Sequence, residues 1–153
     1  MGALTRTFLT DKKKEEEGTW IEVAVNDDKT IARMRVKRMG PNNKAFTKRY
    51  AILARKFRSM RGDKEELERQ ALIAAFVDTC LVGWENIENI HKAKPGEKRE
   101  PYMAFSKENA NELFEVLPEL LDFVVIRATE VENFQSEQAE VELKNLSPSS
   151  NTL

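Results

Sequence analysis

One cysteine, one histidine, six glycines and five prolines in 153 residues leave little for any chemistry that depends on them. Cys80 alone excludes an intramolecular disulfide and a cysteine-based metal cluster, which fits a reducing compartment. The glycines, at positions 2, 18, 40, 62, 83 and 96, lie too far apart to form a phosphate-cradling loop or a dinucleotide fingerprint. His91 sits in a lysine-rich stretch with no sequence partner for proton transfer. No apolar run approaches the ~18 to 20 residues that span a bilayer, and Met1 to Thr10 lacks the basic start and long apolar middle of a signal peptide. The expectation is a cytosolic protein with no membrane partner.

These absences argue against an enzyme, and neither a catalytic residue nor a cofactor is expected. Cys80 falls inside an apolar run, where a thiol is held protonated and packs as a small hydrophobe. Asp78, Glu85 and Glu88 fall at offsets of seven and three on one expected helix, but with no histidine or second acidic helix they do not make a metal site. Surface charge and an ion pair account for them better. Asp78 interrupts an apolar run and needs a cationic partner, for which an arginine of the basic helix is the natural source.

What the chain does have is charge, 33% of its residues, nearly balanced at a net −1 but unevenly placed. Residues 29–62 carry 12 Lys and Arg and no Asp or Glu, whereas residues 100–153 carry 11 acids against Lys107, Arg127 and Lys144. Segregation of this kind steers encounters and orients partners more than it deepens affinity. With 41% hydrophobic residues, a chain of this length can bury one real core and suits a single domain.

The expected fold class is α+β, mostly α-helical, with an N-terminal β-hairpin followed by four helices and flexible N- and C-terminal tails. Residues 1–17 are polar and end in Lys12-Lys13-Lys14-Glu15-Glu16-Glu17, too poor in apolar surface to offset ordering, so they read as a flexible arm. A single domain follows over 18–135. Its hairpin covers 19–39, with Asn26-Asp27-Asp28-Lys29 as the turn. In the second strand Ala32, Met34 and Val36 alternate with Arg33, Arg35 and Lys37, which puts apolar groups on one face and cations on the other.

Helices are expected over about 43–60, 63–90, 106–117 and 118–135. Asn43, Asp63 and Ser106 are their N-caps, and Pro118 stops one helix and starts the next. Phe46, Tyr50, Leu53 and Phe57 form a narrow stripe on the first. From Ala71 to Val77 no residue is polar. A helix apolar all round must be covered all round, and in so small a chain part of that cover is expected from partners. The stretch from Asn86 to Glu100 reads as an exposed loop, and 136–153 as a disordered C-terminal tail.

The C-terminal half carries a distinctive order of landmarks. An apolar helix ends at Val82-Gly83-Trp84-Glu85, a charged loop leads to Pro101-Tyr102 and Ser106-Lys107-Glu108-Asn109-Ala110, and then come Leu113, Leu117-Pro118, Asp122, Ala128 and Phe134. This order resembles the tail assembly chaperones of long-tailed (siphovirus-type) bacteriophages. Gly40-Pro41-Asn42-Asn43-Lys44-Ala45-Phe46 also looks like that family's entry to its first helix. Met103-Ala104-Phe105 departs from the pattern by separating Pro101-Tyr102 from Ser106.

The resemblance implies a non-enzymatic chaperone of the host cell cytoplasm, absent from the mature virion. It would bind the tape measure protein, keep it soluble while the tail tube assembles, and then leave. Self-association and a frameshifted longer form of the chain are further implied partners. Phe76, Trp84, Phe114, Leu121, Val125 and Phe134 are the apolar candidates for packing or partner contact. The rival readings are a structural tail or connector subunit and a nucleic-acid-binding protein that uses the basic segment, with Arg33, Arg35, Lys37, Lys48, Arg49, Arg55 and Arg58 as its face. Nucleic acid is disfavoured, because Phe46, Tyr50 and Phe57 share one helical stripe and fill a core better than they stack on bases.

Overall fold

The computed structural model describes residues 2–136, and the expected tail beyond Ser136 lies outside them. Among the described residues there are six α-helices, three strands and a 3-10 turn. In chain order they are α1 (Ala3–Phe8), α2 (Lys12–Glu17), β1 (Thr19–Val25), β2 (Ile31–Val36), α3 (Lys44–Arg58), α4 (Lys64–Thr79), β3 (Leu81–Glu85), α5 (Lys107–Val116), α6 (Pro118–Thr129) and the turn Val131–Phe134.

The expected hairpin followed by four helices is corrected in two places. First, two short helices precede the hairpin where a flexible arm was expected. Asp11 caps α2 by accepting from Lys13 N–H at 2.9 Å. Glu15 is buried, and its carboxylate accepts from Arg38 Nη1 at 2.6 Å and Thr10 Oγ1 at 2.6 Å. The Gln135 side-chain amide donates to the carbonyls of Arg6 and Thr7, completing the C-terminal end of α1. These segments bury little apolar area, and they are ordered by polar contacts that reach across the whole chain.

Second, the helix expected over 63–90 ends at Thr79, and residues 81–85 form the third strand of an antiparallel sheet of order β1-β2-β3. Leu81 and Trp84, both buried and three apart, fit a helical period. They reach the same face of a strand because Gly83 pairs with Arg35 and Leu81 with Val36, which leaves Val82 as an extra bulged residue. The pairing satisfies the exposed edge of β2, which a two-stranded hairpin would leave open. Gly18, at φ +93°, brings α2 into β1. A Cβ there would sit 3.0 Å from the Val36 carbonyl, so glycine suits both the angle and the approach.

The alternation expected in β2 is observed: Ala32, Met34 and Val36 are buried, while Arg33 and Arg35 take the other face. The buried face meets α4, α5 and α6 in one core that includes Phe76, Val77, Cys80, Phe114, Leu121, Val124 and Phe134. On the opposite side of α4, Ala71 and Ala75 pack on Leu53 and Ala54 of α3, with Phe46, Tyr50 and Phe57 at the margin. Every residue from Ala71 to Val77 is therefore buried or half-buried within the fold. The partner cover expected for this helix is not needed, because the sheet, α5 and α3 supply it.

Candidate interaction surface

The landmarks Gly83, Trp84, Tyr102, Ser106 and Asn109 converge into one clasp between β3 and the start of α5. The Trp84 indole N–H donates to the Met103 carbonyl at 2.8 Å, and its ring meets Phe105 edge-on at a centroid distance of 5.1 Å. Ser106 accepts from Asn109 N–H at 3.0 Å as the N-cap of α5, and the Asn109 side-chain amide donates to the Ala104 carbonyl at 2.9 Å. Asn86, at φ +56°, turns the chain out of β3 and donates to the Ile31 carbonyl at 3.1 Å. The Tyr102 hydroxyl bonds Asp28 and Thr30 of the hairpin turn. Hydrogen bonds from Thr30 and then Tyr102 hold the Asp28 carboxyl below its usual range, and the bond to Asp28 raises the Tyr102 hydroxyl. The motif is thus a structural clasp whose polar side chains bond one another and the backbone, with the Trp84 bond to Met103 buried inside it.

The apolar candidates fall mostly inside. Phe76, Phe114, Leu121 and Phe134 have at most 1% exposure, Trp84 is buried and Val125 is half-buried. Phe76 and Phe114 meet edge-to-face with centroids 6.0 Å apart. A partner could reach these side chains only if the core opened. The apolar residues that do face solvent were not among the candidates: Leu4 and Phe8 on α1, Ile52 on α3, Val116 and Leu117 at the α5–α6 corner, and Ile126 on α6. Ile52 and Ile126 lie off the core stripes of α3 and α6, a signal that their spacing carries.

The basic residues divide between two places. Arg33 and Arg35 lie on the outer face of the sheet, with Lys37 just past the end of β2. Arg33 is already engaged, over the Trp20 ring at 4.4 Å and bonded to Glu85 at 2.7 Å. Lys48, Arg49, Arg55 and Arg58 lie on α3. Arg49 provides the partner Asp78 needs, at 3.1 Å, and Lys107 approaches the same carboxylate at 3.7 Å. Arg58 donates to the Ala54 carbonyl of its own helix. Lys48 and Arg55, with Lys44 and Lys56, remain a solvated ridge without an ion pair among the described residues.

Two polar hollows flank this framework. One, of about 460 Å³, is lined by Lys12, Lys37 and Lys44 together with the paired Glu15 and Arg38. Burial works to raise the Glu15 carboxyl, but bonds from Thr10, Arg38 and Asn42 outweigh it and hold the group below the usual glutamate range. The other, of about 540 Å³, is lined by Asp63, Glu65, Glu66 and Glu115 with Arg69 and Ile73. Cys80 is buried and accepts from the Asn43 amide at 3.4 Å, and burial pushes its thiol up to about 11. Asp78, Glu85 and Glu88 do not share a helix: they fall on α4, on β3 and in the segment beyond it, and no cation site joins them.

Residues 39–145 match the family described as YdaY prophage protein. The match begins after the hairpin, so it takes in α3, α4, β3, the clasp, α5 and α6. No curated protein matches, and no solved structure does.

Proposed function

The chain belongs to the YdaY prophage protein family and is phage-derived, and from that premise we propose that it is a tail assembly chaperone. In this reading it binds the long, helical and apolar tape measure protein, keeps it soluble in the host cell cytoplasm, promotes tail tube assembly and is then released. It is non-enzymatic and absent from the mature virion.

The observation that carries the reading is where the exposed apolar side chains lie. Buried Leu121, Val124 and Ala128 mark the inner face of α6, and half a turn away Ile126 is 56% exposed, while Phe123 beside it packs on the core under Arg127. Val116 and Leu117 are exposed at the preceding corner, and the exposed Glu119 and Asp122 lie on the same face of α6 as Ile126. Exposed apolar side chains set among acids suit an amphipathic helix with basic residues beside its apolar stripe. Each copy offers only a few such side chains, worth ~25 cal/mol per Å² covered, so each contact is weak and reversible. Many copies along one extended partner supply the holding strength.

Co-expression with the long tape measure protein of the same genome tests the proposal through the partner's solubility and recovery by pull-down. The expected result is a soluble, co-purifying partner, and a loss of recovery for Ile126→Asp and Val116→Asp with unchanged thermal unfolding. A partner that stays aggregated beside the intact chain would refute the chaperone role.

A further inference from the structure

We infer that the acidic stretch 137–142 of this chain docks intramolecularly in the lysine-lined hollow between α2 and the start of α3. The hollow, of about 460 Å³, gathers Lys12 from α2, Lys37 from just past β2 and Lys44 from α3. Among the described residues none of these three lysines forms an ion pair. Arg38 and Glu15 on the same wall neutralise each other at 2.6 Å, which leaves Glu16 as the one acid set against three cations. α3 adds to this field, because its first turn holds no acid to offset the positive end of its dipole. Carboxylates brought here relieve the repulsion among lysines that separate elements hold together.

The chain carries the occupant itself. Directly beyond Ser136 come Glu137, Glu140 and Glu142, three acids in six residues with no cation before Lys144. Two backbone bonds hold the point of departure near the rim. The Phe134 carbonyl accepts from Asp11 N–H at 2.6 Å, and the next residue, Lys12, lines the hollow. The Ala128 carbonyl accepts from Met39 N–H at 2.8 Å, and Arg38 and Gly40 on either side of Met39 line the hollow too. At up to ~3.3 Å per residue, the stretch 137–142 spans as much as ~20 Å, enough to cross an opening of this size. So short a tether gives an effective concentration on the order of millimolar, at which weak charge pairs suffice. The family match also runs past the described fold to residue 145, so the acidic stretch belongs to the part of the chain shared with the family. Docked there, it ties the C-terminal segment to the N-terminal helices and closes the hollow to anions from solution. The inference is independent of the chaperone reading.

The test is paramagnetic relaxation in the full chain, with a nitroxide attached at Asn145→Cys, since Cys80 is buried and stays unlabelled. At low salt the amide signals of Lys37 and Lys44 should lose intensity, and high salt should restore them by screening the contact. Charge reversal of the segment by Glu137→Lys, Glu140→Lys and Glu142→Lys should abolish the loss. Adding Lys12→Glu and Lys44→Glu to that variant should bring the loss back, because the pairing is then reversed on both sides. Lys12 and Lys44 are exposed, and the remaining amide signals report that each variant folds. The inference is overturned if the chain with native charges shows no loss at low salt, if the reversed segment still produces it, or if reversal on both sides does not rescue it. Loss that arises only between a nitroxide-labelled chain and a separate isotope-labelled chain also overturns it, since the segment then sits in another copy.

Discussion

Helices α3 and α4 lie side by side, share a seam of small and apolar residues, and have opposite relations to solvent. α3 touches the fold through one stripe and leaves Lys48, Ile52 and Arg55 in water. From Ala71 to Val77 α4 is enclosed, with α3 on one side and the sheet and α5 on the other. A continuous apolar run is therefore no sign of a partner site here, because the same 153 residues contain its cover. Partner-facing surface is to be sought where a helix is only half used.

The sharpest way to break this contrast is truncation on each helix. Phe76→Ala should cost about 3–5 kcal/mol in urea unfolding, since it opens a cavity where sheet, α4 and α5 meet. Ile52→Ala on the outer face of α3 should stay within about 0.5 kcal/mol. Equal losses would mean that α3's outer face is covered in solution.

Next in size is the link from the N-terminal helices to the framework. Arg38→Met leaves the buried Glu15 carboxylate without its cation, at a cost of about 3 kcal/mol in the same measurement. The pH dependence has a definite sign. The folded Glu15 carboxyl lies below its ordinary value, so its contribution is present above the unfolded pKa of about 4.3 and is lost as pH falls through the lower folded value. Glu15→Gln should therefore flatten the acid limb of stability below about pH 4. An unchanged limb would assign that limb to other carboxyls.

These two regions were unequally legible. Asn43, Asp63 and Ser106 cap the helices they were expected to cap, because an N-cap answers a local need for unpaired amides. The alternation of β2 and the start of α6 at Pro118 were equally local. Glu15 was not readable as a buried anchor. Nothing in a Lys-Lys-Lys-Glu-Glu-Glu run distinguishes the carboxylate that meets Arg38 from the two that stay in water. Of the surface residues, the cations of α3 are legible in the sequence as a basic segment that surrounds the exposed Ile52.

Smaller effects sharpen the comparison within the clasp and the seam. Ser106→Ala should cost about 1 kcal/mol through loss of the α5 cap, read from the shift in thermal midpoint. No shift would show that the Asn109 bond to Ala104 suffices to start the helix. Asp78→Asn, at the half-exposed bridge from α4 to Arg49 of α3, should cost about 0–1 kcal/mol and less at high salt. A salt-independent loss would point to packing and not to charge.

By itself the sequence determined what neighbouring residues decide: where helices begin, which face of β2 carries cations, and how charge divides between the two halves. Capping, periodicity and composition act within a few residues and need no distant contact. Only the tertiary structure decided that residues 81–85 leave the helix to pair with β2, that the apolar run of α4 is covered within the fold, and that Phe76 and Phe114 are core. Those outcomes depend on the free edge of a strand some fifty residues earlier and on a bulge at Val82 that changes the apparent period. A local pattern cannot carry that information.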